Sequence, residues 1–274
     1  MFPTIGFGGM PLSIQGRPDD EQGRRVLRAA ADAGMTFIDT ADVYCLDDSD
    51  IGHNERLIAS TLGGRDDVRI GTKAGLRRPR GAWTSDASPA HIREACEQSL
   101  RSLNTERIWL YQLHAPDPKV AFEKSVEAFA ELQREGKFEH FGLSNVSVAQ
   151  IDQARAILPV VTVQNRLNPY FRESIPVAQA CAVRDITFLA YSPVGGGRLA
   201  KKLPRFDVLI ELARKHVRSV HAIVLAWVRA QAATVVPIPA ARTVEHAIDS
   251  ATAADLTLSR EDLAAIDETE FDRG

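Results

Sequence analysis

Cysteine is scarce in this 274-residue chain, which has only Cys45, Cys96 and Cys181, all far apart. An odd, unclustered set gives neither a disulfide framework nor the paired spacing of structural zinc, so a reducing compartment is expected. Long apolar runs are lacking too. The longest clearly apolar helical segment, AIVLAWV, falls far short of the roughly 20 residues of a membrane span, and MFPTIGFGGMPLS has no charged flank followed by an apolar stretch, as a secretory leader would. Neither charge sign dominates: 33 Lys and Arg against 36 Asp and Glu leave a formal net charge of -3, with no basic tail. Nucleic acid and anionic membrane are therefore not expected partners. No stretch rich in Pro, Gly or Ser divides the chain. The expectation is one domain over residues 1–274, monomeric and cytoplasmic, with a core large enough to need no disulfide or metal.

What the chain does have is a regular alternation of short apolar runs with longer amphipathic segments. The runs are TIGFG from Thr4, TFIDT from Thr36, VRIGTK from Val68, IWLYQLH from Ile108, HFGLSN from His140, VTVQN from Val161, TFLAYS from Thr187 and TVVPIP from Thr234. Between them, Ser88 and Pro89 open a helix whose Ile92, Ala95, Cys96, Ser99, Leu100 and Leu103 share one face. Phe122, Val126, Phe129 and Ala130 do the same in the next helix, which Gly136 ends. Strands apolar on both faces, alternating with helices, imply a parallel sheet covered by helices, and eight repeats imply closure into a (β/α)8 TIM barrel of the α/β class. A doubly wound sheet is the second choice. Its glycine fingerprint leads straight into a helix, whereas GFGGMP is followed by SIQGRPDD.

Four polar residues end or follow these runs: Asp39 and Tyr44 in FIDTADVY, Lys73 in RIGTK and His114 in IWLYQLH. Taken singly, Tyr44 reads as a half-buried packing residue, Asp39 with Lys73 as a structural ion pair, and His114 as a satisfied core histidine. A barrel gathers strand ends on one rim, and there the four form a catalytic set. A phenol with an ordinary pKa of about 10 would give up its proton more readily beside a cation, so Lys73 is expected to lower the pKa of Tyr44. Asp39 would hold Lys73, and His114 would orient a carbonyl. Glycines at 195, 196 and 197 in YSPVGGGRL suit either close backbone approach to a pyrophosphate or a flexible turn. Arg242 and Thr243, opening a helix, suit either a 2'-phosphate or a surface salt bridge.

In GFGGMPLS, FIDTADVY, GTK, YQLH, FGLSN, VQN, AYSPVGGGRL and VPIPAART, in that order, the chain resembles the aldo-keto reductases nearly end to end. The resemblance implies a (β/α)8 barrel that binds NADPH (NADP+) and reduces a small-molecule aldehyde or ketone, without metal. It places Asp39, Tyr44, Lys73 and His114 on the catalytic positions. Ser144, Asn145 and Gln164 fall where the carboxamide is held and Tyr191 where the nicotinamide ring stacks. Further cofactor contacts are implied at Gly9, Met10, Asp39, Ser192, Pro193, Val194, Gly195, Gly197, Leu199, Ile238, Ala240, Arg242, Thr243, His246, Asp249 and Ser250. Tyr44, Trp83 and His114 are the candidate substrate contacts.

The chain departs from these relatives at several places. Ala240 stands where they usually carry Gly, and Asp249 and Ser250 where they carry Glu-Asn, which loosens the expected adenine contact. The hairpin that plugs the barrel floor is expected to be absent or reduced, so something else must cover that end. Cys45, beside Tyr44, is either an oxidation site or a passive loop cysteine. LRRPRGAWTSDASP, with Arg77, Arg78 and Arg80 beside Trp83, either closes over substrate or is a solvated charged loop. Two other functions compete: a cofactor-binding sensor or regulatory subunit, and a metal-dependent barrel hydrolase or aldolase. A pyridoxal-like aromatic aldehyde, generic aldehydes and diketones are the substrate candidates.

Overall fold

The computed structural model describes residues 2–273. The barrel strands are β1 (Phe7–Gly8), β2 (Phe37–Asp39) and β3 (Arg69–Ala74), followed, after a small antiparallel hairpin of β4 (Leu76–Arg77) and β5 (Thr84–Ser85), by β6 (Ile108–Leu113), β7 (Phe138–Ser144), β8 (Val160–Arg166), β9 (Thr187–Tyr191) and β10 (Val235–Ile238). All pairings in the eight-stranded sheet are parallel and follow chain order. Gly6 N donates to Pro237 O at 2.9 Å and Gly8 N to Pro239 O at 2.8 Å, which joins β1 to β10 and closes the barrel. Each expected run supplies one strand.

Helices α1 (Asp20–Asp32), α2 (His53–Leu62), α3 (Pro89–Leu103), α4 (Phe122–Arg134), α5 (Val148–Arg155), α6 (Ile175–Val183), α7 (Gly196–Ala200), α8 (Asp207–His216), α9 (Val220–Arg229), α10 (Val244–Ala251) and α11 (Arg260–Asp267) surround it. The starts of α1, α3, α5, α9, α10 and α11 carry side-chain caps for their orphan amides: Ser88 Oγ accepts from His91 N, and Ser147 with Gln150 forms a capping box at α5. Ile92, Ala95, Cys96, Ser99, Leu100 and Leu103 of α3 are buried against the barrel. No described helix is long and apolar enough to cross a membrane.

Inside the barrel, Phe37, Leu110, Leu189, Val236 and Ile238 fill the lower layer. Gly142 makes room above them, since a Cβ there would lie 2.1 Å from Thr162 Oγ1. The floor is covered by Phe2, whose ring packs edge-on against Phe37 at 4.9 Å and Trp109 at 5.3 Å. His140 caps Trp109 in turn at 5.2 Å. With the floor packed in this way, the polar layer faces the opposite rim.

Candidate active site

Lys73, at the end of β3, is fully buried, and its Nζ spends its three donors on Asp39 Oδ2 at 2.7 Å, Thr40 O at 2.8 Å and Tyr44 OH at 3.2 Å. An ammonium survives burial only when paired and hydrogen-bonded in this way. Burial still pushes its pKa below 10.5, with Asp39 opposing the shift. Asp39 Oδ1 accepts from Gln164 Nε2 at 2.7 Å and Gln112 Nε2 at 3.4 Å, so β2, β3, β6 and β8 all converge on one carboxylate. The ring of His114 stands edge-on to that of Tyr44 at 5.7 Å. All four expected catalytic residues therefore meet at the bottom of one cavity of about 760 Å³, which Asp39, Tyr44 and His114 line.

Burial pushes the Tyr44 phenol well above its ordinary 10, and Asp39, Tyr191 and Asp42 push the same way. The expected lowering by Lys73 does not appear in the net shift, which is upward and set first by desolvation. The phenol stays loaded with its proton, and the Lys73 contact strengthens only as the oxygen becomes negative. His114 is driven well below 6.5 by burial and by Lys73, so its ring is neutral. Its Nδ1 is buried without a hydrogen-bond partner. A donor there would be unsatisfied, which assigns the ring proton to Nε2 and leaves that N–H to the cavity.

The cavity continues from this floor between the loops after β9 and β10. Of the residues implied as cofactor contacts, it is lined by Met10, Asp39, Ser144, Asn145, Gln164, Tyr191, Ser192, Pro193, Val194, Gly197, Ile238, Ala240, Arg242, Thr243 and His246. Gln164 donates to Asp39, so its carbonyl oxygen remains for a carboxamide donor. Asn145, at φ 59°, donates to His114 O at 2.9 Å and accepts from Tyr191 OH at 2.9 Å, which fixes the Tyr191 ring at the wall. Ser192, at φ 49°, turns the chain into the glycines, and a Cβ at Gly196 or Gly197 would meet nothing within 4 Å. Arg242 donates Nε to Pro11 O and Nη2 to Gln15 O, both at 3.2 Å, leaving the rest of its fork unspent beside Thr243, the cap of α10. An open glycine turn, a helix start and a guanidinium along one groove suit a dinucleotide phosphate.

Five implied contacts lie outside the lining. Gly9 packs beneath Asn54, whose Nδ2 donates to its carbonyl at 2.9 Å, and Gly8 lines the cavity instead. Gly195, at φ +87°, shapes the turn before α7, where a Cβ would lie 2.8 Å from Leu199 Cβ. Leu199 is a core residue whose carbonyl accepts from Tyr170 OH at 3.0 Å. Asp249 accepts from Ser219 Oγ at 2.7 Å, and it and Ser250 sit a turn farther along α10. Cys45 is fully buried, and burial pushes its thiol up to about 12, so the oxidation-site reading is set aside.

The β3–α3 loop is not a solvated charged loop throughout. Arg78 is 2% exposed and donates Nε to Cys45 O at 3.4 Å, Nη2 to Gln15 Oε1 at 2.7 Å and Nη1 to Gly81 O. Sequence reasoning missed Gln112, Ile14 and Leu76. Gln112, within β6, braces Asp39, and Ile14 and Leu76, whose only signal was their position in rim loops, line the cavity. Among the described residues, no three His, Cys, Asp or Glu side chains are grouped to hold a metal ion.

The chain is similar to known proteins along almost its whole length. The model of the aldo/keto reductase family matches residues 4–270. A Schizosaccharomyces pombe protein described as an uncharacterized oxidoreductase is 32% identical over 269 residues, covering 96% of this chain and 85% of that protein. The pyridoxine 4-dehydrogenase of Escherichia coli is 30% identical over 275 residues, covering 96% and 93%. The structure of an aldo-keto reductase from Klebsiella pneumoniae in complex with NADPH aligns with a TM-score of 0.81 at 30% identity, covering 97% of this chain and 90% of that one.

Proposed function

The chain belongs to the aldo/keto reductase family, and we propose that within this oxidoreductase chemistry it reduces an aldehyde or ketone to the alcohol with NADPH. The observation that carries the reading is the Tyr44 hydroxyl held 3.2 Å from a buried ammonium that is itself locked to Asp39 at 2.7 Å. When bound, NADPH supplies the hydride. Gln164, Asn145 and Ser144 would hold its carboxamide, the Tyr191 ring would set which face is presented, and Arg242 with Thr243 would take the 2'-phosphate.

The residues of the chain do the rest. His114 Nε2–H and Tyr44 OH donate to the carbonyl oxygen and hold it against the cavity floor. Tyr44 then gives up its proton to that oxygen, and Lys73 stabilises the phenolate left behind. Asp39 keeps Lys73 charged in a site where desolvation favours the neutral amine. The similarity to a pyridoxine 4-dehydrogenase keeps a pyridoxal-like aldehyde among the candidates, beside generic aldehydes and diketones. A panel of such carbonyls followed by NADPH absorbance, with NADH in parallel, tests the reading. Carbonyl-dependent NADPH oxidation is expected, and its absence across the panel overturns it.

A further inference from the structure

The mouth of the cavity carries an aromatic shelf that the reaction itself does not require. Trp83 precedes β5, in a hairpin tied to its neighbours by Arg78, which reaches the β1–α1 loop through Gln15 and the β2–α2 loop through Cys45 O. The Arg78 guanidinium lies 3.9 Å from the Trp83 ring centroid. A buried, hydrogen-bonded guanidinium stacked on an indole is a firm backing, because cation–π attraction grows when the pair is desolvated. The indole is nonetheless 45% exposed and lines the cavity, so the surface away from Arg78 is left to whatever enters. It also stands edge-on to Tyr44, with ring centroids 6.3 Å apart. Met10 and Leu76 pack beside Tyr44 and continue the apolar wall.

This indole does not stand on an open face but lines the cavity, held against Arg78 and edge-on to Tyr44, where an entering ligand would meet it. We propose that Trp83 is a specificity-determining residue, a shelf on which a planar aromatic or conjugated carbonyl substrate stacks while its carbonyl oxygen meets Tyr44 and His114. The proposal rests on the carbonyl-reductase reading above. Small aliphatic aldehydes leave the shelf uncovered and gain nothing from it.

The test compares benzaldehyde with cyclohexanecarbaldehyde, which is similar in size but not planar. The ratio of their kcat/KM values is measured for the wild type, Trp83→Ala and Trp83→Phe, and intrinsic reactivity cancels between enzymes. Trp83→Ala is expected to lower the ratio about 10-fold, equivalent to about 1.4 kcal/mol, the size of one aromatic stack, while Trp83→Phe keeps it within roughly 3-fold. An unchanged ratio in Trp83→Ala overturns the shelf and leaves the reductase reading standing. If neither aldehyde is turned over, quenching of tryptophan emission by benzaldehyde is read with NADP+ present. Trp227 is fully buried and Trp109 sits at the barrel floor, so the quench reports Trp83. A quench abolished by Trp83→Phe supports the shelf, and a quench that survives overturns it.

Discussion

Replacing Lys73 by Met removes the cation beneath Tyr44 while nearly keeping its volume. The Asp39 carboxylate, 3% exposed, then loses its 2.7 Å partner and keeps only the amides of Gln164 and Gln112. Stranding a buried charge costs roughly 3–5 kcal/mol, and two remaining amide donors put the expected loss near the lower end, about 3 kcal/mol. For a domain of this size that is a fall in Tm of roughly 6–12 °C at neutral pH, read by calorimetry. The pH dependence has a definite sign. In the wild type, burial holds the Lys73 pKa below 10.5, so between the folded and unfolded values the unfolded chain binds more protons and this group favours folding more as pH rises. The variant has no such group, so its deficit should widen as pH rises through that window. Turnover should collapse with stability, since the phenolate would lose its stabiliser. A variant with unchanged Tm at neutral pH, or a deficit that narrows as pH rises through that window, refutes the buried pair as described.

Arg242→Ala should weaken NADPH about 10-fold to 150-fold by removing a charge-assisted contact, with a smaller loss for NADH from the broken ties to Pro11 O and Gln15 O. Titration of both cofactors by fluorescence decides it, and equal losses mean that Arg242 only braces the loops. For His114, the folded pKa lies well below 6.5, so the unfolded chain takes up a proton first and stability should fall as pH drops below about 6.5. His114→Gln should flatten part of that slope in Tm against pH, with His53, also pushed down by burial, supplying another part; an unaltered slope contradicts a neutral buried ring.

The strands and the meeting of the four candidate residues at one rim could be read from the sequence because each signal is local. A polar residue closing an apolar run must be paired or functional, and a barrel sends every such end to one rim. Signals that depend on tertiary placement were invisible. Arg78 is written like its neighbours Arg77 and Arg80, yet it alone of the three is buried, because three loops close around it. Phe2 covers the barrel floor by meeting Phe37 and Trp109, residues distant in sequence. The hydrogen bond that Asp249 accepts from Ser219 at the start of α9, 30 residues away, likewise had no signal in the sequence. The net direction of the Tyr44 shift was missed for the same reason: a neighbouring cation can be inferred from a motif, but depth of burial cannot.

The most direct measurement is the single-turnover rate of NADPH oxidation in Tyr44→Phe, using a carbonyl the wild type reduces, with NADPH affinity measured on the same sample. The variant keeps the ring against His114 and Trp83 and loses only the hydroxyl. The expected result is a rate lower by on the order of 100-fold to 10,000-fold, the usual contribution of a general acid, with NADPH binding unchanged. A variant that retains most of the wild-type rate would show that the proton comes from elsewhere and that the Asp39–Lys73–Tyr44 arrangement is structural.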